Sequence, residues 1–149
     1  MIKKLLFTLS VMFGFDAAYS QDVSVKDGKI LYNDSVILKY EKHDAIEFSI
    51  FTLKDDEIIY SKWHNNETPR YSDDDYVILN FLGEKRKVES TKDEMVISGV
   101  GLNYRKNLIK LINWLMKEKV LRTDGSIDKD KLEIFYEKYN ENITARTIR

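Results

Sequence analysis

The sequence predicts an α+β domain: an antiparallel β-meander of about six to seven strands, followed by two amphipathic C-terminal helices packed on one face. Two observations predict this architecture. Short runs of alternating apolar and polar residues fill residues 23 to 98, and period-two alternation is typical of half-buried strands. From residue 103 onward the apolar residues recur with the period of an α-helix. Strands first and helices afterwards favour helices that are segregated to one side of the sheet.

The strand region is divided by residues that favour tight turns. Asn33-Asp34, Lys54-Asp55-Asp56 and Leu82-Gly83-Glu84 separate the apolar runs, and these residue types accept the backbone conformations that hairpins need. The predicted strands cover residues 30–32, 36–40, 46–50, 58–63, 77–81 and 86–88, with residues 95–97 as a candidate last strand. This regular spacing favours a meander, in which each strand pairs with the next.

Two helices are expected after the strands. The apolar face of the first contains Leu108, Leu111, Ile112, Leu115 and Met116. A break at Asp124-Gly125 precedes the second helix, for which Asp128 is the predicted N-cap and Ile127 a staple partner of Leu132. The apolar face of the second contains Leu132, Phe135, Tyr136 and Tyr139. Residues 140–149 lack an apolar period, which predicts a loose tail.

Residues 1–20 have the pattern of a secretory signal peptide. Lys3 and Lys4 precede an apolar run from residue 5 to residue 15, and Ala18 and Ser20 place small residues before a cut at Gln21. The run of about eleven residues is too short for a bilayer, which needs about twenty. We therefore expect cleavage near Ser20/Gln21 and a secreted or periplasmic single domain of residues 21–149 with no membrane span.

Composition excludes several classes of function. The chain has no cysteine, which excludes thiol catalysis, iron–sulfur clusters and cysteine-based zinc sites. Its two histidines, His43 and His64, exclude a multi-histidine metal site within one chain, and we expect no metal and no cofactor. Residues 21–149 carry 22 Lys/Arg and 24 Asp/Glu, a balance that argues against general nucleic-acid binding.

The layout of the chain resembles small exported proteins of Bacteroidota. The resemblance is carried by a Lys-Lys-rich export segment that ends before Gln21, a strand region rich in lysine, isoleucine and asparagine, and a helical end. It is a resemblance of layout across the whole chain, with no specific motif. It implies a bacterial periplasmic or secreted location and no particular active site.

The longest irregular stretch, residues 64–75, is the main candidate binding segment, because loops of about twelve residues are often functional. A sugar or side chain would stack on Trp63 and Tyr71, while His64, Arg70 and Asp74 would hold polar groups. Our leading hypothesis is an exported non-enzymatic binding module that acts on an envelope protein or glycan through the 63–76 loop. A solvated loop between two strands would explain the same residues without any ligand.

Two other functions remain open from the sequence. The first is a small secreted hydrolase centred on His64 and Asp73–Asp75, although no spacing favours a nucleophile beside a base. The second is a helper subunit whose outer helix face docks on a larger complex. An enzyme would lose turnover on mutation of His64 or Asp74 while staying folded.

A weaker candidate for anion binding lies before the first helix. Gly99 and Gly101 would expose backbone N–H groups to an anion. Arg105 and Lys106 fall in the first helical turn, where cations oppose the helix dipole. A flexible sheet-to-helix connection explains these residues without any anion.

Charge is unevenly spread along the chain. Residues 41–82 hold four basic and ten acidic side chains, whereas residues 84–122 hold ten basic and five acidic ones. If the fold segregates them, the molecule has a polar axis suited to steering a charged partner. If the fold intermixes them, the surface is evenly mixed.

Overall fold

A computed structural model of the chain describes residues 22–44, 46–64, 75–92 and 104–147. Within these residues, seven strands form one sheet in chain order, and every neighbouring pair is antiparallel. The strands are β1 (Val23–Lys26), β2 (Lys29–Tyr32), β3 (Ser35–Asp44), β4 (Glu47–Phe51), β5 (Glu57–His64), β6 (Tyr76–Phe81) and β7 (Arg86–Ser90). The helices are α1 (Tyr104–Lys117), α2 (Lys129–Tyr139) and α3 (Ile143–Thr147). The predicted α+β meander with C-terminal helices is confirmed. The candidate strand at residues 95–97 and the predicted signal peptide lie outside the described residues.

The hairpin turns use the residues that the sequence indicates. Asn33 and Asp34 have φ of 47° and 64°, and Asp55 has φ of 68°. Asparagine and aspartate adopt this left-handed region more readily than other non-glycine residues because their short polar side chains bond locally. The tight turns therefore keep successive strands adjacent, which produces the meander.

The core lies between one face of the sheet and the helices. Along β6, Val77, Leu79 and Phe81 are buried while the residues between them are only half-buried. The Phe81 ring meets the Phe135 ring edge-on at 6.2 Å, and Phe135 lies 4.5 Å from Trp114 of α1. The fully buried side chains include Phe48, Ile50, Ile59, Leu108, Ile112 and Leu115. Both long helices thus bury their apolar faces against the same side of the sheet.

The connection from α1 to α2 is fixed by a cap and a glycine. The Asp128 carboxylate accepts a hydrogen bond from the Lys131 backbone N–H at 3.1 Å, which confirms Asp128 as the N-cap of α2. Gly125 has φ of 87°, and a Cβ atom there would lie 2.5 Å from the Ile37 carbonyl oxygen. Only glycine fits this close approach of the turn to β3.

The C-terminal segment differs from the loose tail that the sequence predicts, over the part that the structure describes. The Glu141 N–H donates to the Glu89 carbonyl at 2.8 Å, and the Asn140 side chain accepts from the Glu89 N–H at 3.0 Å. The Glu141 carboxylate accepts from the Thr91 N–H at 2.5 Å. These bonds satisfy the outer edge of β7 as an eighth strand would. The segment has no apolar period because polar contacts hold it.

Candidate functional site

The face of the sheet that points away from α1 and α2, here called the open face, carries most of the polar side chains of the central strands. It comprises Glu47, Ser49, Tyr60, Lys62, His64, Tyr76, Ile78 and Asn80, with Glu57 and His43 at its border. These residues alternate with buried residues such as Phe48 and Ile59, as a period-two strand requires. The open face is therefore where groups not needed for the core are displayed.

Two β-bulges, one on each side of β4, change which side chains reach the open face. Lys42 pairs with Phe48 and Asp44 pairs with Glu47, so His43 is an unpaired extra residue. Ile50 pairs with Ile59 and Phe51 with Glu57, so Ile58 is extra on the other side. Bulges redirect side chains and often lie beside functional sites. Here they place His43 and Glu57 on either side of Ser49.

Ser49 is the centre of a short hydrogen-bonded chain. Its Oγ donates to Glu57 Oε1 at 2.6 Å and lies 2.8 Å from His43 Nε2. A hydroxyl has one proton to donate. Because Ser49 donates this proton in its hydrogen bond to Glu57, the imidazole of His43 must donate its Nε2–H to Ser49 Oγ. Ser49 is only 3% exposed, although it lies on the open face. The chain fixes the orientation of His43 and Glu57.

This arrangement differs from a catalytic triad. In a triad the imidazole stands between the serine and the acid, so that it can take the serine proton. Here the serine stands in the middle and His43 is a donor to it, so the imidazole is not a base for that hydroxyl. The geometry therefore supports positioning of His43 and Glu57 and does not support nucleophilic catalysis by Ser49.

A second network lies on the next rows of the open face. The Tyr60 hydroxyl donates to Glu47 Oε1 at 2.5 Å, and Lys62 Nζ lies 3.5 Å from Glu47 Oε2. The hydrogen bond from Tyr60 lowers the pKa of the Glu47 carboxyl, with a further contribution from Lys62. Burial, together with the Glu47 hydrogen bond and charge, raises the pKa of Tyr60 to about 12. The His43 and Tyr60 rings are 6.5 Å apart, which links the two networks.

An aromatic pair lies at the end of β5 and β6. His64 and Tyr76 are directly paired across the strands, and their rings stack at 4.9 Å with an interplanar angle of 5°. Both residues are half-buried. They flank residues 65–74, the central part of the predicted binding loop. The structure thus places His64 on the open face, beside Lys62 and Glu47 of the second network.

Trp63 points the other way. It is 8% exposed and belongs to the hydrophobic core, because it shares the inward face of β5 with Ile59. Its Nε1 has no hydrogen-bond partner within the part of the chain that the structure describes. A stacking platform made of Trp63 would need an exposure that this side chain does not have.

The other predicted site residues divide into two groups. Arg70, Tyr71 and Asp74, together with Gly99 and Gly101, lie outside the described residues. Arg105 and Lys106 are exposed on the first turn of α1. Arg105 Nε donates to the Tyr104 hydroxyl at 3.2 Å, and this contact is the largest cause of a lowered pKa of Tyr104.

The sequence reasoning missed the side chains around Ser49. No role was predicted for His43 beyond the exclusion of a multi-histidine metal site, whereas in the structure it is a bulge residue whose Nε2 lies 2.8 Å from Ser49 Oγ. The alternation of Glu47 and Ser49 with apolar neighbours does indicate a wet face, so part of the signal was present. The pairing of Glu57 with that face depends on a register shift that local alternation does not encode.

Shallow grooves lie around the turn that holds Gly125, at the end of β4 and β5 that is far from His64. One of about 360 Å³ is lined by Ile37, Leu38, Thr52, Leu53, Lys54, Asp56, Asp124, Gly125 and Ser126. A smaller one of about 160 Å³ shares Thr52, Gly125 and Ser126 and adds Ile58, Gly83, Glu84 and Ile127. At their edge the Ser126 hydroxyl donates to the Asp124 carboxylate at 2.6 Å, a contact within the α1–α2 connection that fixes the turn itself.

Within residues 22–44, 46–64, 75–92 and 104–147, no group of three or more histidine or acidic side chains is arranged to hold a metal ion. Over the same ranges, no helix is long and apolar enough to cross a bilayer. No protein-family model, no curated protein and no solved structure matches this chain.

Proposed function

We propose that this protein is an exported, non-enzymatic binding module that holds an envelope protein or glycan on the open face, beside the 63–76 loop. The observation that carries the proposal is the His64–Tyr76 stack next to the Glu47–Tyr60–Lys62 network. Tyrosine rings supply large contact areas at low conformational cost and are enriched in binding surfaces. Carboxylate, ammonium and hydroxyl groups beside them fix the orientation of a polar ligand.

Pre-organisation supports the same proposal. Ser49 holds His43 and Glu57, and Glu47 holds Tyr60, through hydrogen bonds of 2.5 to 2.8 Å. Side chains that are already ordered lose less entropy when a ligand arrives. A solvated face without a ligand would not need such mutual restraint, since each of these groups would hydrogen-bond to water.

The charge of the open face favours a partner with basic groups. The carboxylates of β3, β4 and β5 that lie on or beside it are Glu41, Asp44, Glu47 and Glu57, and the lysines of the same strands on that side are Lys39 and Lys62. Complementary charge steers encounter and suppresses wrong partners. A protein segment with exposed lysine or arginine suits this face, and a glycan would use the aromatic pair.

The competing proposal is a small secreted hydrolase centred on His64 and Asp73–Asp75. The described residues favour it less, because the His64 ring lies flat on Tyr76. Asp73 and Asp74 lie outside the described residues. The test of this alternative is turnover: His64→Ala or Asp74→Ala would abolish hydrolysis in a protein that remains folded.

The binding proposal is tested by capture from envelope and secreted fractions with tagged residues 21–149. The test variant is His64→Ala with Tyr76→Ala. The matched control is Leu53→Ala with Ile134→Ala, because these side chains are 50% and 56% exposed and lie away from the open face. We expect a partner that the control retains and the test variant loses by about tenfold or more.

Protease and periodate treatment of the captured material would distinguish a protein partner from a glycan. A partner that both variants retain would contradict the assignment of the interface to the open face. Absence of any partner, with measurable hydrolysis that His64→Ala abolishes, would favour the enzyme instead.

A further inference from the structure

The solvent-facing side of α1 carries charge of one sign. Within Tyr104–Lys117 there are four cations and no acidic residue. Lys106, Lys110 and Lys117 are exposed, and Asn113 is half-buried. In chain order, the steps from Lys106 to Lys110, Asn113 and Lys117 are four, three and four residues. That spacing places them in one line along the helix, over a length of about 16 Å. We call this line the basic stripe.

The exposed face of α2 differs from the basic stripe of α1, because it carries charges of both signs. α2 has three lysines and three acidic residues, in the sequence KDKLEIFYEKY. Its charges form pairs, with Glu133 on Arg86 at 2.7 Å and Lys138 on Glu118 at 3.3 Å. Neither Lys106 nor Lys117 forms an ion pair with any described residue.

The position of two of these cations is unfavourable for the helix itself. Arg105 and Lys106 lie in the first turn of α1, which contains no acidic residue. The first turn exposes N–H groups and the positive end of the helix dipole, so acidic residues are favoured there and cations are not. Arg105 has a partner inside the protein, because it contacts the Tyr104 hydroxyl and ring. Neither helix stability nor a described ion pair accounts for Lys106.

We infer that the basic stripe docks this protein on the surface of an anionic phospholipid bilayer, by charge alone and without insertion. The apolar residues of α1, including Leu108, Ile112 and Leu115, are fully buried in the core. The stripe therefore offers no apolar anchor, and protein interfaces usually centre on one. Lipid phosphates need none, because clustered lysines close to the membrane surface are attracted to them directly.

The two-layer fold also favours a bilayer over a polyanion in solution. The chain has a net charge of −1, and the carboxylates of the open face lie on the opposite side of the molecule from α1. A planar membrane meets only the face turned toward it, because charge is screened within about 8 Å at physiological ionic strength. Docking through α1 would leave the open face directed away from the bilayer, where it can meet its own partner.

The experiment is flotation of residues 21–149 with vesicles of phosphatidylcholine, alone or mixed with phosphatidylglycerol. Removal of residues 1–20 eliminates the apolar segment, which would itself partition into lipid. The test variant is Lys106→Glu, Lys110→Glu and Lys117→Glu. The matched control makes the same change of charge at Lys26, Lys54 and Lys85, which are exposed on strands and turns.

We expect the unmodified protein and the control to float only with vesicles that contain phosphatidylglycerol, and the test variant to lose at least about tenfold in binding. Added sodium chloride should release the protein, because the attraction is electrostatic. Circular dichroism would verify that all three proteins are folded. Failure of the unmodified protein to float, or equal floating of both variants, would overturn the inference. Binding that survives high salt would indicate insertion, and binding to duplex DNA in place of vesicles would indicate a different polyanion.

Discussion

The two faces of the β-sheet use the same strands for different purposes. Along β5, Ile59 and Trp63 point into the core, whereas Tyr60, Lys62 and His64 point to the open face. The inward face is closed by two helices, and its buried side chains are almost all apolar. The open face instead holds its polar groups in networks of short hydrogen bonds. The hydrophobic core therefore lies on the inward face, and the open face is the one on which we place the proposed binding site.

The largest expected effect separates two adjacent residues of β6. Phe81 is fully buried against Phe135, so Phe81→Ala should reduce the free energy of unfolding by about 3 to 5 kcal/mol through lost burial and a cavity. Asn80→Ala, one residue earlier and on the open face, should change it by less than about 0.5 kcal/mol. Urea denaturation of both variants measures the difference. Similar losses for the two would contradict the division of roles between the faces.

The next effect comes from a glycine that lies against β3, beside Leu38 of the core. Gly125→Ala combines a positive φ with a Cβ only 2.5 Å from the Ile37 carbonyl oxygen. We expect a loss of about 1 to 3 kcal/mol in the free energy of unfolding, because the backbone must shift or remain strained. Gly83→Ala is the matched control, since its Cβ would meet no atom within 4 Å. Thermal unfolding of both variants tests this, and an unaffected Gly125→Ala protein would contradict the close contact between this turn and β3.

These comparisons also show what the sequence could predict. Period-two alternation assigns Ile59 and Trp63 to one face and Tyr60, Lys62 and His64 to the other, as the structure has them. The sequence interpretation nevertheless gave Trp63 a ligand-binding role, because it weighed the loop beside it more heavily than the alternation. Aromatic character alone does not distinguish a core residue from a ligand platform.

The features that the sequence did not predict depend on contacts between distant segments. The bulges at His43 and Ile58 are properties of how two strands pair, so neither strand shows them by itself. The C-terminal segment is held by Asn140, Glu141 and Thr144, whose partners lie about fifty residues earlier. Hydrophobic periodicity does not detect an element that is fixed by polar bonds.

That polar attachment gives the smallest of the three effects, and it depends on pH. Glu89 is 2% exposed, and its carboxylate accepts from the Thr144 N–H at 2.8 Å, from the Thr144 hydroxyl and from Lys87 Nζ at 2.9 Å. Burial would raise the pKa of Glu89, but the hydrogen bonds from Thr144 and Lys87 outweigh it and lower the pKa below the ordinary 4.5. Glu141 also has a lowered pKa, with burial opposed by the hydrogen bonds from Thr91 and Ser90.

A carboxyl whose pKa is lower in the folded state contributes stability that is complete above its unfolded pKa and is lost as pH falls through the folded pKa. We therefore expect the free energy of unfolding to decline as the pH is lowered below about 4.5.

Glu89→Gln should lower the free energy of unfolding by about 1 kcal/mol at neutral pH, because hydrogen bonds to a charged acceptor become bonds to a neutral one. The same substitution should flatten the decline at low pH. Glu137→Gln, which removes an exposed carboxylate on α2, is the matched control. Glu89 pairs with Ile78 and lies on the same side of the sheet. If stability depends on pH in the Glu89→Gln variant as it does in the unmodified protein, the Glu89 carboxylate at this border of the open face adds nothing to stability. A flattened profile would show that the polar contacts between the C-terminal segment and β7 contribute to stability, and the proposed binding surface would then be limited to the rows from His43 to Tyr76.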